Sequence, residues 1–180
     1  KNRQMSSLRD EIQAALARRF LTVHLDDYCE ARPRISDGNP ATPRSARVAA
    51  APKTEPGVLL AQRLNDAASA DRPVLVWIGP RDPAKILPNT LFFAVHRSGG
   101  FCNKKARAEL EKAGIIVGIG PACSNAAGGS SHVLEALDVP PELWQGVLRV
   151  SLSIDTTAKD AAAFVDAFTA IAASPKVLGD

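Results

Sequence analysis

The stretch Ile115-Ile116-Val117-Gly118-Ile119-Gly120-Pro121-Ala122-Cys123-Ser124-Asn125 leads from a run of strand-forming residues directly into a loop of small residues. Its first half is apolar and rich in β-branched side chains, which predicts a strand over residues 115–119. Its second half holds a single thiol, with neither bulky neighbours to bury it nor a second cysteine to pair with. We therefore predict that Cys123 lies on a mobile loop and acts as a nucleophile.

The sequence on both sides of this stretch alternates between helical and strand patterns. Helices are predicted over residues 5–19, 58–70, 103–112 and 130–137, and from residue 157 onwards. Further strands are predicted over residues 21–25, 73–78, 91–96 and 147–152. This interleaving predicts an α/β (α+β) layer, with helices packed on one face of a small mixed or antiparallel sheet.

The domain organisation follows from one change in composition. Residues 1–29 form an opening helix and strand, and residues 57–174 form the remainder of the domain with the cysteine loop. Between them, residues 30–56 are rich in proline and arginine and almost lack large apolar side chains, so they cannot build a core. This segment is either an insertion or flexible loop, or a basic arm for a partner. Residues 175–180 are a tail.

Composition excludes several classes of function. With 22 basic and 19 acidic residues among 180, the net charge of +3 gives no reason to expect nucleic acid or a membrane surface as a partner. No apolar run approaches the roughly 20 residues that span a bilayer. The three cysteines are an odd number and are widely spaced, which favours a reducing, cytoplasmic location. The spacing between cysteines and histidines matches no metal site, so none is predicted. The cysteines are Cys29, Cys102 and Cys123, and the histidines are His24, His96 and His132.

Several motifs together resemble one family. Ala122-Cys123-Ser124, His132-Val133-Leu134-Glu135-Ala136-Leu137 and Leu148-Arg149-Val150-Ser151-Leu152 follow one another at the separations found in the cysteine desulfurases, the NifS-like branch of class V aminotransferases. Leu87-Pro88-Asn89-Thr90-Leu91 resembles the same family further upstream. The resemblance covers residues 85–172. Linked motifs at fixed separations indicate a family more specifically than any single motif does.

The resemblance implies the small C-terminal domain of a fold type I enzyme that depends on pyridoxal phosphate. Such an enzyme takes sulfur from L-cysteine, releases alanine and passes the sulfur to an acceptor protein, as in iron–sulfur cluster assembly. It implies that Cys123 becomes the persulfide and that Arg149 binds the substrate α-carboxylate, a task that suits the planar guanidinium fork. Homodimers are usual in the family.

The cofactor lysine of the family follows a histidine directly, and no His-Lys pair occurs in this sequence. We therefore expect no cofactor-binding residue in this chain and no desulfurase turnover by the 180 residues alone. Pro121 also departs from the family loop and restrains its backbone. Two alternatives stay open: a non-catalytic persulfide carrier or interaction module, and a degenerate class V aminotransferase relative.

Overall fold

The computed structural model describes residues 2–31, 55–120 and 132–179. Six α-helices lie in these ranges: α1 Asn2–Arg19, α2 Leu25–Ala31, α3 Glu55–Ser69, α4 Asn103–Lys112, α5 His132–Ala136 and α6 Ala158–Ala172. Five strands accompany them: β1 Leu21–His24, β2 Val74–Trp77, β3 Thr90–His96, β4 Gly118–Ile119 and β5 Val147–Ser151. Short 3-10 turns cover Pro83–Lys85, Pro141–Gly146 and Pro175–Val177.

The five strands form one mixed sheet in the order β1-β2-β3-β5-β4. β1 and β2 pair in parallel, and the other neighbours pair antiparallel. The predicted α/β layer with a mixed sheet is therefore confirmed.

The first face of the sheet is covered by α1, α4 and α6. Leu16, Leu110 and Phe168 from these helices are fully buried against Phe93 and Leu148 of the sheet. The rings of Phe93 and Phe168 meet edge to face at 5.6 Å between centroids, a geometry that adds to the gain from burial.

The second face is covered as well, by α2, α3 and the turn Pro141–Gly146. Tyr28, Leu64 and Leu143 pack against Val74 and Val76 there. The composition of β2, Val-Leu-Val-Trp, explains this arrangement, because a strand apolar on both sides must be buried on both faces. The sequence patterns predict helices on one face, whereas the structure has them on both.

The boundaries of the predicted elements differ mainly at two places. α2 was not predicted from its seven residues, which are too few to show helical periodicity. The strand predicted over residues 115–119 is reduced to Gly118–Ile119, because Ile115 follows directly from the capped end of α4 and Ile116 is 85% exposed.

The segment over residues 30–56 falls mostly outside the described residues, so its role stays a prediction. At the other end of the chain, residues 175–179 pack onto the domain. Val177 is fully buried, and its carbonyl accepts a hydrogen bond from the Cys102 amide at 2.8 Å.

Candidate functional site

Cys123 lies outside the described residues, as does the loop over residues 121–131. The structure does describe the strand that leads into this loop. Gly120 has a φ of +58°, a left-handed conformation that favours glycine, and its amide donates to the Val147 carbonyl at 3.2 Å. The chain therefore leaves the sheet towards Cys123 from a hydrogen-bonded glycine turn.

Arg149 lies in β5, directly beside that strand. Its cross-strand partners are Phe92 in β3 and Gly118 in β4, so all three share the second face of the sheet. The Nε and Nη2 atoms of Arg149 each lie 3.3 Å from where a Cβ of Gly118 would stand. The bulk of Phe92 on one side and the lack of a side chain at Gly118 on the other explain why the guanidinium lies over β4.

The Arg149 side chain is half-buried. Within residues 2–31, 55–120 and 132–179, no carboxylate pairs with its guanidinium and no carbonyl accepts from it. A half-buried guanidinium that keeps its donors free can bind a carboxylate from outside, since charge-assisted bidentate pairs are among the strongest hydrogen-bonded contacts. Arg149 thus lies beside the strand that precedes Cys123 in the sequence, and the position of Cys123 itself stays a prediction.

Asn103 is a further residue of this region whose place the sequence did not reveal. Asparagine before a helical pattern suggests an N-cap, but the structure puts Cys102 at that position, without a side-chain cap, and Asn103 inside α4. The buried Asn103 Nδ2 donates to the Val147 carbonyl at 3.0 Å, the same oxygen that the Gly120 amide reaches. Asn103 therefore ties α4 to the base of the cysteine loop.

The lysines near the candidate site do not match the cofactor lysine that the resemblance implies. Lys104 and Lys105 lie in the first turn of α4, and neither directly follows a histidine. The Lys105 Nζ donates to the Leu178 carbonyl at 3.1 Å. The absence of a cofactor-binding residue from this chain stays a prediction.

The described residues hold no cluster of three or more histidine, cysteine or acidic side chains that could bind a metal ion. None of their helices combines the length and the apolar character needed to cross a membrane.

Comparison with known proteins gives partial matches. No family model matches the sequence. A cysteine desulfurase of Rhodobacter capsulatus is 40% identical over 79 residues, which cover 44% of this chain and 20% of that protein. A cysteine desulfurase of Cereibacter sphaeroides is 37% identical over 102 residues, covering 57% and 25%. The cysteine desulfurase IscS of Clostridium botulinum is 33% identical over 98 residues, covering 54% and 24%.

The solved structure of a NifS-like protein matches with a TM-score of 0.41 and 23% identity, covering 63% of this chain and 26% of its own. The chain spans about a fifth to a quarter of the length of the curated relatives it matches. The sequence matches confirm the resemblance seen in the motifs: over about half of its length, this chain is similar in sequence to cysteine desulfurases.

Proposed function

We propose that this chain is the C-terminal part of a pyridoxal-phosphate-dependent cysteine desulfurase, which moves sulfur from L-cysteine to Cys123 and releases alanine. The observation that carries the proposal is the free guanidinium of Arg149, laid across the strand that leads to Cys123. The sequence similarity to cysteine desulfurases supports it independently.

Arg149 binds the α-carboxylate of the substrate. The guanidinium presents two parallel N–H donors that match a carboxylate, and Gly118 leaves room for it beside β4. A lysine would offer a point charge instead of a planar fork. Arg149→Lys is therefore expected to weaken substrate binding while leaving the sheet intact.

Cys123 acts as a thiolate that attacks the substrate sulfur. The S–S bond of the persulfide forms as the carbon–sulfur bond of L-cysteine breaks, and the electron pair leaves with the carbon, which takes up a proton and is released as part of alanine. The persulfide is then passed to a sulfur-acceptor protein, with iron–sulfur cluster assembly as the use that the family implies. The assembled enzyme is cytoplasmic and homodimeric in this proposal.

In this proposal, pyridoxal phosphate is held by residues outside this chain. The sequence lacks the His-Lys pair that carries the cofactor lysine in the family. The chain contributes the nucleophile and the carboxylate-binding arginine. The 180 residues, supplied with pyridoxal phosphate and L-cysteine, are accordingly expected to release no alanine, and measurable alanine release would contradict this division of roles.

A chimera tests the proposal. Residues 85–172 replace the corresponding segment of the Rhodobacter capsulatus cysteine desulfurase, and absorbance of the bound cofactor shows that the chimera is assembled. Alanine release and a persulfide on Cys123 are expected. Cys123→Ser should abolish both, and the matched control Cys102→Ser should retain them. A cofactor-loaded chimera that is inactive, or whose activity survives Cys123→Ser, would contradict the proposal.

The lack of a His-Lys pair also favours a second candidate, a persulfide carrier or interaction module that accepts sulfur from another protein. A carrier gains the persulfide from a separate desulfurase without binding L-cysteine, so Arg149→Lys would leave its loading unchanged. A degenerate class V relative acting on another amino acid would instead keep its aminotransferase-like activity in the chimera after Cys123→Ser.

A further inference from the structure

A groove of about 480 Å³ lies on the side of the domain where α1, α3 and α6 end. Arginines from three parts of the chain line it: Arg18 and Arg19 at the end of α1, Arg63 in α3, and Arg72 just after α3. The groove is remote in sequence from the motifs that resemble the desulfurases, since three of its four arginines belong to α1 or α3.

Most of this positive charge is not neutralised within the domain. Arg19 pairs with Asp166 at 2.7 Å, and it also donates to Thr169 Oγ1 at 3.1 Å. In the described ranges, Arg18, Arg63 and Arg72 have no carboxylate partner. Asp66 is the acidic residue among those that line the groove.

The arginines are not needed to complete the ends of α3 and α6. The last carbonyls of α3 accept backbone amides, including that of Arg72, which donates to Ala67 at 2.8 Å. At the end of α6, the carbonyls of Ala172 and Ser174 accept from Arg97 instead. The side chains of Arg63 and Arg72 are therefore not used to satisfy carbonyls at the helix ends, and their donors are available to a ligand in the groove.

The groove has apolar surface between its charges. Phe20, Leu21 and Pro73 line it beside the arginines, and Phe20 is fixed by its ring contact with Phe168 at 5.7 Å between centroids. Guanidinium groups around an apolar floor match carboxylates that alternate with apolar side chains, because each ion pair then forms beside a surface that excludes water.

We propose that this groove binds an acidic segment of a partner protein, in which glutamate or aspartate alternates with apolar residues. Arg18, Arg63 and Arg72 pair with its carboxylates, and the partly exposed Phe20 and Leu21 contact its apolar side chains. This surface is independent of the sulfur-transfer proposal, since it uses neither Arg149 nor Cys123.

Fluorescence anisotropy with a labelled peptide of alternating glutamate and leucine tests the surface on the 180-residue chain. The peptide is expected to bind, and binding should weaken between about 50 and about 300 mM salt because exposed charges are screened. The triple variant Arg18→Gln, Arg63→Gln and Arg72→Gln should bind about tenfold more weakly, since each exposed pair contributes a modest share. Amide shifts on binding are expected at Phe20, Asp66 and Thr169.

The matched control is Arg3→Gln, which removes the same charge from the opposite end of α1, about 22 Å away along the helix. It should change affinity less than about twofold. Circular dichroism checks the fold of each variant, and the three single variants replace the triple variant if it is unfolded. Equal binding of a peptide with glutamine in place of glutamate, unchanged affinity in the arginine variants, or no binding at all would overturn the proposal. Displacement by inorganic phosphate as effective as by unlabelled peptide would overturn it in favour of a small-anion site.

Discussion

At the scale of single residues, Gly146 shows how closely the turn Pro141–Gly146 approaches β3. It ends the turn before β5, and a Cβ built there would overlap the Val95 carbonyl oxygen far inside van der Waals contact. The added Cβ and the Val95 carbonyl oxygen are both attached directly to the main chain, so neither can move unless the turn or β3 shifts. Glycine at this position is required by the approach of two backbones rather than by its own conformation.

Gly146→Ala is therefore expected to destabilise the domain by about 3 kcal/mol, the upper part of the usual range for overpacking. Urea unfolding measures the change in the free energy of unfolding. Gly118→Ala is the matched control, because its Cβ would meet the movable end of the Arg149 side chain. If the two variants had equal free energies of unfolding, the turn and β3 would be able to move apart at little cost, contrary to the expectation.

Asp71 and Arg97 make a second residue-scale contact. Arg97 is 8% exposed and binds Asp71 through two nitrogens, at 3.0 and 2.6 Å. The hydrogen bonds from Arg97 hold the pKa of the Asp71 carboxyl below its usual value. A carboxyl whose pKa is lowered by folding stabilises the folded state above its unfolded pKa, and this contribution is lost as the pH falls through the folded pKa.

Asp71→Asn should thus lower the midpoint of thermal unfolding modestly at neutral pH, since the carboxylate is half-exposed. The difference from the unchanged protein should shrink as the pH falls below about 4, where the Asp71 carboxyl of the unfolded chain takes up a proton. Asp66→Asn, a nearby exposed acid without this partner, serves as control. A difference that stays constant down to acidic pH would argue against the ion pair.

At the scale of elements, the sequence predicts helices and strands that have a clear hydrophobic period or a capping motif. It does not predict very short elements or contacts between residues distant in the chain. Thr157 followed three residues later by Asp160 is the sequence pattern of a capping box, and the structure has both hydrogen bonds of that box at the start of α6. A glycine just after the last periodic residue is typical of a helix end, and Gly114 follows α4 with a φ of +77°. In contrast, the role of Asn103 depends on the Val147 carbonyl 44 residues away, which no local pattern can indicate.

Asn103→Asp tests this tertiary role. The substitution keeps the shape of the side chain but replaces its donor by a second acceptor facing the Val147 carbonyl, so a cost of about 1–3 kcal/mol is expected. Chemical denaturation measures it. Asn103→Ser supplies a hydroxyl donor on a shorter side chain and should recover part of the loss only if it reaches Val147. If the aspartate variant were as stable as the parent, this hydrogen bond would contribute nothing to the fold.

At the scale of the whole molecule, the sheet explains which parts of the site could be foreseen. The motifs around Cys123 and Arg149 indicated a family, and the similarity to cysteine desulfurases agrees. The contact between Arg149 and Gly118 depends on the order in which β4 and β5 pair, information that periodicity does not contain. The arginine groove likewise joins α1, α3 and the residues after it, which are distant in sequence.

The central claim is that Cys123 is the thiol that receives sulfur. The cofactor-loaded chimera that carries residues 85–172 is incubated with L-cysteine, and peptide mass spectrometry then locates any added sulfur atom. We expect one added sulfur on the peptide that contains Cys123 and none on the peptide that contains Cys102. Sulfur on both cysteines alike, or none on Cys123, would contradict the claim.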